Sequence, residues 1–423
     1  MSMRLRALLR SSAATYVTPF LLMFVLGAIG NDITLGTTPN YWPSVTGTST
    51  YALPFISTIC AGLGAWEGAR LTRGGVFTQT SVRSAVGITA PVLAPVVIGG
   101  MLVALAALLL SAGSAGVGAG LPELRMLLVV LLLITTNTFV GYCIGRRWTA
   151  VLSVPAVLVA AFIANAYPVS WEPLWVRHLV GGGLRNCCSV DNTFDDRALW
   201  SAVAFTIPVI LACVIMMGRR TPVATLVVSA ALITAGAGLG TSIASSLSAE
   251  PTVDRSTDEL NCTAQSGITV CLWPEMEHGT EVRAETVNVV NKLHAAGIST
   301  DPVFTMAARP KGGETKLGLL PDDKAARVPP GLVSGLVPDL PACATKEEYP
   351  GALAVAPVSA WLLLTAGVPA DMASRHVTPG ALALATTVRK QPPAAQIDWY
   401  EKNTKAISSC STKPQLAPPG ATE

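Results

Sequence analysis

The chain has 423 residues, 51% of them hydrophobic and only 13% charged, with a formal net charge of +3 and a mean hydropathy of +0.50. A soluble domain carries about 25% charge, so this balance excludes a wholly soluble protein. No Lys precedes Lys292 and the apolar runs end near residue 247, so a polytopic membrane region comes first and a domain of ordinary polarity follows. No basic stripe with interleaved aromatics is present, and nucleic acid is not an expected partner.

Residues 1–12 read as a short amphipathic helix on the cytoplasmic membrane surface. Leu5, Leu8 and Leu9 would face lipid, and Arg4, Arg6 and Arg10 the headgroups. No small-x-small cleavage pattern follows, so this stretch is not read as a cleaved signal peptide. The hydrocarbon core needs about 20 apolar helical residues. Candidate spans are residues 13–29, 51–69, 85–110, 126–144, 151–167, 199–217 and 223–247. With the N-terminus inside, the inner connections hold Arg4, Arg6, Arg10, Arg70, Arg73, Arg83, Arg146, Arg147, Arg219 and Arg220. The outer ones hold only Arg125, Arg177, Arg185 and Arg197. That asymmetry sets the orientation. An odd number of spans then places everything after residue 247 outside the cell.

The second and third spans are joined through residues 65–75, which the sequence predicts to be a tight cytoplasmic turn. Trp66 suits the membrane boundary, Glu67 can bond to the arginines after it, and Arg70 and Arg73 hold the loop inside. Gly74 and Gly75 permit a sharp bend. Such a turn can receive a push from a soluble partner. In the third span Pro91 and Pro95, with Gly99 and Gly100, allow a packing kink. No Asp, Glu or His lies well inside a span, which disfavours a proton relay.

Between the fifth and sixth spans, Trp171 and Trp175 sit where aromatic anchors are expected at the outer interface. Residues 176–184 read as a short re-entrant or interfacial helix ending in a flexible turn at Gly181, Gly182 and Gly183. Anchoring is the plain reading of this loop and an outer gate the functional one.

Cys60, Cys143 and Cys213 fall in spans and read as small buried hydrophobes. Cys187, Cys188, Cys262, Cys271, Cys343 and Cys410 all fall outside, an even set on the oxidising side. Cys262 and Cys271 flank a turn at Gln265–Ser266–Gly267 between two strand-like runs, so a bridge across that hairpin is expected, and Cys343 would then pair with Cys410. Six cysteines allow 15 connectivities, so this is one choice among several.

The outer domain reads as a hairpin over 260–264 and 268–273, an amphipathic helix over 281–295 and a strand over 302–306. An exposed loop over 311–330, a buried core helix over 351–368 (an eighth span being the alternative) and a final amphipathic helix over 391–410 follow. The tail from residue 411 reads as disordered. The fold class is therefore membrane all-α, a polytopic bundle of about seven transmembrane helices, followed by an extracellular α+β domain. The boundaries fall at 1–12, 13–247, 248–410 and 411–423. No phosphate-binding loop, zinc-protease helix or nucleophile elbow occurs. Glu275, Glu277 and His278 read as a solvated helix start, so no metal, cofactor or catalytic residue is expected.

A basic amphipathic start, the membrane spans, the Glu/Arg-rich stretch Trp66–Gly75 and the semi-apolar outer loop together resemble the permease subunits of type-2 ABC exporters. Gly145–Arg146–Arg147–Trp148 is similar to their second cytoplasmic turn, and Cys271–Leu272–Trp273–Pro274–Glu275 resembles an uncharacterised extracellular domain appended to actinobacterial permeases of this kind. The resemblance implies a plasma-membrane subunit that moves a substrate, by export, with ATP hydrolysis supplied by a separate cytoplasmic ATP-binding subunit. It implies pairing of permeases as a homodimer or heterodimer. It also implies that Trp66, Glu67, Arg70 and Arg73 couple to the ATPase and that the Trp171 to Gly183 region is an outer gate. The seventh span and the outer domain depart from the six-span pattern. A different class is a non-transporting receptor or accessory protein whose outer domain binds a peptide or cell-envelope ligand.

Overall fold

A computed structural model describes residues 12–76, 84–218, 223–345 and 349–418. Nearly all of the expected surface helix at 1–12, together with Arg83, Arg219, Arg220 and the last five residues of the tail, lies outside these residues. The chain divides into two compact units, Met1–Val253 and Asp254–Glu423.

The first unit is helical: α1 (Ala14–Gly27), α2 (Gly30–Thr34), α3 (Trp42–Ser49), α4 (Leu53–Arg73), α5 (Ala85–Ala115), α6 (Leu124–Gly145), α7 (Ala150–Ala166), α8 (Val176–Leu179), α9 (Asp196–Met216) and α10 (Val223–Ala244). Among the described residues five helices are long and apolar enough to cross a membrane: α5, α6, α7 with its extension to Ser170, α9 and α10. The other two expected spans correspond to α1, with 14 residues, and α4, with 21. Helices are what long apolar runs must form where no water can satisfy the backbone. Leu102, Leu109, Val151 and Val227 are accordingly exposed on the outer face of the unit. The strand β1 (Asn192–Phe194) pairs with β2 (Thr252–Asp254) at the end of this unit.

α4 and α6 approach each other closely. Gly64 and Gly68 on α4, and Gly141 and Gly145 on α6, are each four residues apart and so share one face of their helix. A Cβ at Gly141 would lie 2.8 Å from the carbonyl carbon and 3.0 Å from the Cα of Ala61, and closer still to its oxygen. One at Gly68 would lie 3.0 Å from the Arg146 nitrogen. Bare glycines let two backbones touch, which is the usual basis of close helix association in membranes.

One expectation about this unit changes. Residues 65–75 are not a turn: α4 continues to Arg73, because Ala65, Glu67, Ala69 and Leu71 are good helix formers. The stop is a Schellman motif, in which Val76 N–H bonds to Leu71 O at 3.3 Å, Gly75 N–H bonds to Thr72 O at 3.1 Å, and Gly75 takes φ +64°. The first outer connection, for which the sequence predicts no element, is itself helical. It contains α2 and α3, and Ser44 through Ser49 on α3 are all buried.

The second unit holds a four-stranded sheet in the order β3 (Asn261–Gln265), β4 (Ile268–Leu272), β5 (Val303–Thr305), β6 (Glu314–Lys316). β3 and β4 are antiparallel through a two-residue turn with positive φ at Ser266 and Gly267, the geometry that matches strand twist. β4 and β5 are parallel, joined by α11 (Gly279–Ala295), whose Val282, Val289, Val290 and Leu293 are buried. The expected loop at 311–330 instead contains β6 and the first turn of α12 (Val328–Leu336). The apolar run at 351–368 forms α13 (Ala352–Thr365), in which Trp361, Leu362 and Leu363 are buried. After α14 (Ala370–Ala373) come α15 (Pro379–Val388), which the sequence reading lacked, and α16 (Pro393–Ile407). The described part of the tail is held rather than loose: Gln415 O accepts from Trp399 Nε1 at 2.9 Å, and Gln415 N–H donates to Asn403 Oδ1 at 2.9 Å.

Candidate functional site

The helical continuation of α4 rearranges the residues singled out for coupling. Trp66, Arg70 and Arg73 follow a four- and three-residue spacing and so share one face. Together with Gly74 and with Ala150 at the start of α7, they line a surface hollow of about 280 Å³. Trp66 and Arg73 are exposed and Arg70 is half-buried. Glu67 turns inward and is wholly buried. Its carboxylate pairs with Arg70 Nη2 at 2.6 Å and accepts the Ala13 backbone N–H at 3.3 Å. The expected bond from Glu67 to an arginine after it is thus present, and the helix also carries the side chain round to the start of α1. Beside the hollow, Thr72 Oγ1 donates to Arg146 O at 3.4 Å, and Arg146 Nη1 to Met217 O at 2.9 Å, so the ends of α4, α6 and α9 are tied together.

The gate candidates sit on a segment that is anchored on several sides. Trp171 is exposed, while Trp175 packs against the helical core. Arg177 and His178 on α8 are both buried. Arg177 donates to Val169 O and, at 3.2 Å, to Ala249 O. His178 Nε2 bonds to Ser248 O at 2.8 Å, and burial pushes its imidazole below the usual value. Gly181, Gly182 and Gly183 are not a flexible turn. A Cβ at each would meet, respectively, Leu133 at 2.6 Å, Val169 at 2.9 Å and His178 at 3.0 Å. Only Gly181 needs glycine for its φ of +70°.

The structure pairs Cys262 with Cys271, directly opposite in the β3–β4 register with Cα atoms 4.0 Å apart, and Cys343 with Cys410 at 6.0 Å. It also pairs Cys187 with Cys188, which the sequence reading left unassigned. That pair is buried against Gly47 of α3, and Thr38, ahead of that helix, donates through Oγ1 to Cys188 O at 3.2 Å. Glu275 is taken up by Arg255 at 2.9 Å, and among the described residues no cluster of His, Cys, Asp or Glu could hold a metal ion.

Several residues near these sites carry no motif. Asn137 on α6 and Asn165 on α7 exchange amide hydrogen bonds at 3.0 and 3.3 Å inside the bundle. Arg185 lies over the Tyr51 ring, 4.0 Å from its centroid. An amide within each of two apolar runs was the available signal for the first pair.

The class that these features define is a membrane-embedded helical protein with a disulfide-bearing C-terminal domain that includes a small sheet. Residues 270–410, within the second unit, match a family described as a domain of unknown function (DUF7224). No curated protein and no solved structure matches the chain.

Proposed function

We propose that this chain is the membrane permease-like subunit of a type-2 ABC exporter, moving its substrate with ATP hydrolysis supplied by a separate cytoplasmic subunit. The observation that carries the reading is the hollow formed by Trp66, Arg70, Arg73 and Ala150. It offers a partner an aromatic edge and two cations at the end of a rigid helix, the sort of anchor on which interfaces depend. The buried Glu67 supports it from behind by fixing Arg70. A push on this hollow is transmitted along α4 because the glycine contacts lock α4 to α6.

In this reading α1 and α4 complete seven spans, the hollow faces the cytoplasm, and the second unit lies outside the cell, where its disulfides are stable. Two permease copies, or this chain and a related one, enclose the path. The segment around Trp171, Trp175 and Gly181 to Gly183 closes its outer end as part of the rigid body.

The test is photocrosslinking in the intact membrane from a photoreactive residue at position 73, with position 353 in the second unit as control. Capture of an ATP-binding protein from position 73 alone supports the proposal. Capture of only outer-face proteins overturns it.

A second reading, a receptor or accessory protein that binds a peptide or envelope ligand, is favoured by one feature. The edge strand β3 has all five residues exposed, and an exposed strand edge can add a peptide strand.

A further inference from the structure

A second cavity lies at the other end of α4 from the coupling hollow. It has about 310 Å³ of space between the residues leading into α4, the end of α7 and residues 180–186. The volume is in the range of small-molecule sites. Among the described residues Arg185 is the one charged residue in its lining, and no carboxylate lines it. Arg185 makes no hydrogen bond or ion pair among the described residues. Its guanidinium is laid on the Tyr51 ring, which holds the plane and leaves the edge N–H donors for another acceptor. Behind the wall, the buried Arg177 is bonded by carbonyls alone, so no described acid offsets its charge.

The rest of the lining changes character with depth. Asn165, its amide held by Asn137, and Asn186 are polar, while Leu53, Phe55 and Phe162 are not. Phe55 and Phe162, ring centroids 5.9 Å apart, also line an adjoining groove of about 350 Å³. That groove runs along α1 between Val17 and Phe24 and is almost wholly apolar. Phe20 and Phe24 on its rim are exposed on the outer face of the bundle. A cationic mouth therefore leads past one pair of rings into an apolar channel open to the side.

We propose that these two cavities form one site for an anionic amphiphile, with its phosphate or carboxylate head on Arg185 and its hydrocarbon chain across Phe55 and Phe162 into the groove beside α1. A fork of N–H donors suits either anion. A chain leaving sideways suits a molecule that enters from the bilayer. The site does not depend on the ATPase reading, because it is built within this one chain.

The experiment uses the full chain in nanodiscs of zwitterionic lipid and a single-chain, phosphate-headed lipid with a photoreactive group on its chain. The expected result is labelling of peptides containing Phe55 and Phe162. Arg185→Gln should lower that labelling about tenfold or more, the loss expected for one charge-assisted contact. Arg185→Lys should retain most of it, and Phe162→Trp, which fills the passage between the cavities, should reduce it with the head contact intact. Arg185 is exposed, so its two substitutions leave the fold unaffected, and an unchanged unfolding temperature establishes the same for Phe162→Trp. Equal labelling by a neutral-headed lipid of the same chain, or no change in Arg185→Gln, overturns the proposal. Native mass spectrometry of the chain extracted from its host assigns the source. A retained anionic phospholipid identifies a bilayer lipid, and an empty chain that still captures the probe identifies a cargo.

Discussion

Glu67 and Ala13, 54 positions apart in sequence, are joined by a hydrogen bond of 3.3 Å from the Ala13 backbone N–H to a buried carboxylate oxygen. The first amides of a helix have no partner within it, so α4 caps the start of α1 with a side chain from another helix. The charge also has the right sign for the N-terminal end of the helix dipole.

Removing that carboxylate should therefore loosen two contacts together. Glu67→Ala is expected to lower stability by about 1–3 kcal/mol, through the lost cap and the lost Arg70 pair. Glu67→Gln keeps an acceptor for Ala13 and should cost less. Thermal unfolding of the purified full chain should rank wild type, Gln, then Ala, and identical melting of all three would remove the capping role.

The glycine contacts between α4 and α6 predict a sharp position dependence. Gly141→Leu drives a side chain into the Ala61 backbone and is expected to cost at least about 1–3 kcal/mol, since the helices must separate. Gly113→Ala, on α5, meets nothing within 4 Å and should be neutral or mildly stabilising. Chemical denaturation of the two variants distinguishes them. Equal loss would mean that glycine acts here through the helix backbone and not through the close approach.

Acid should weaken the connections that hold Glu123, His178 and Asp195 in two stages. Burial depresses the His178 imidazole, so below its ordinary value of about 6.5 the unfolded chain takes up the proton more readily and stability falls. The loss levels off once the pH passes below the folded value. The Asp195 carboxyl is pushed up by burial, but the Arg197 hydrogen bonds and charge outweigh this and hold it low. Its hydrogen bonds to Arg125, chiefly, hold the Glu123 carboxyl low as well. Those contributions are present above about pH 4 and are lost as the pH falls through the depressed values. A melting profile from pH 8 to 3 should show the first step vanish in His178→Asn and the second persist.

The Cys343–Cys410 bridge closes a sequence separation of 67, against 9 for Cys262–Cys271. Chain entropy predicts about 4 kcal/mol for the longer loop and about 2.5 for the shorter. Cys410→Ser should therefore lower the unfolding temperature of the full chain more than Cys262→Ser. The reverse order would point to native-state packing at β3–β4 as the larger factor.

Much of the fold was legible because hydropathy and turn chemistry act locally. Runs such as 85–110 and 126–144 are helices for the same reason that they are apolar, and Ser266–Gly267 announced the hairpin whose register sets Cys262 against Cys271. What was illegible depended on partners distant in sequence. Glu67 beside two arginines looks like a loop residue, and only the position of α1 shows that it is buried. Gly181 to Gly183 look flexible until Leu133, Val169 and His178 are placed against them. Gln415 looks like part of a free tail, yet Trp399 and Asn403 hold it. Arg185 has no sequence neighbour that reveals the ring beneath it.

The measurement that bears most directly on the central claim is affinity purification of the tagged full chain from its native membrane in mild detergent, alongside a Trp66→Ala/Arg73→Glu variant. Both substituted residues are exposed, and an unchanged unfolding temperature would establish that the variant is folded. The account predicts an ATP-binding subunit in stoichiometric amount with the wild type and its loss from the variant. A wild-type preparation free of any ATPase, or one retained equally by the variant, would contradict it.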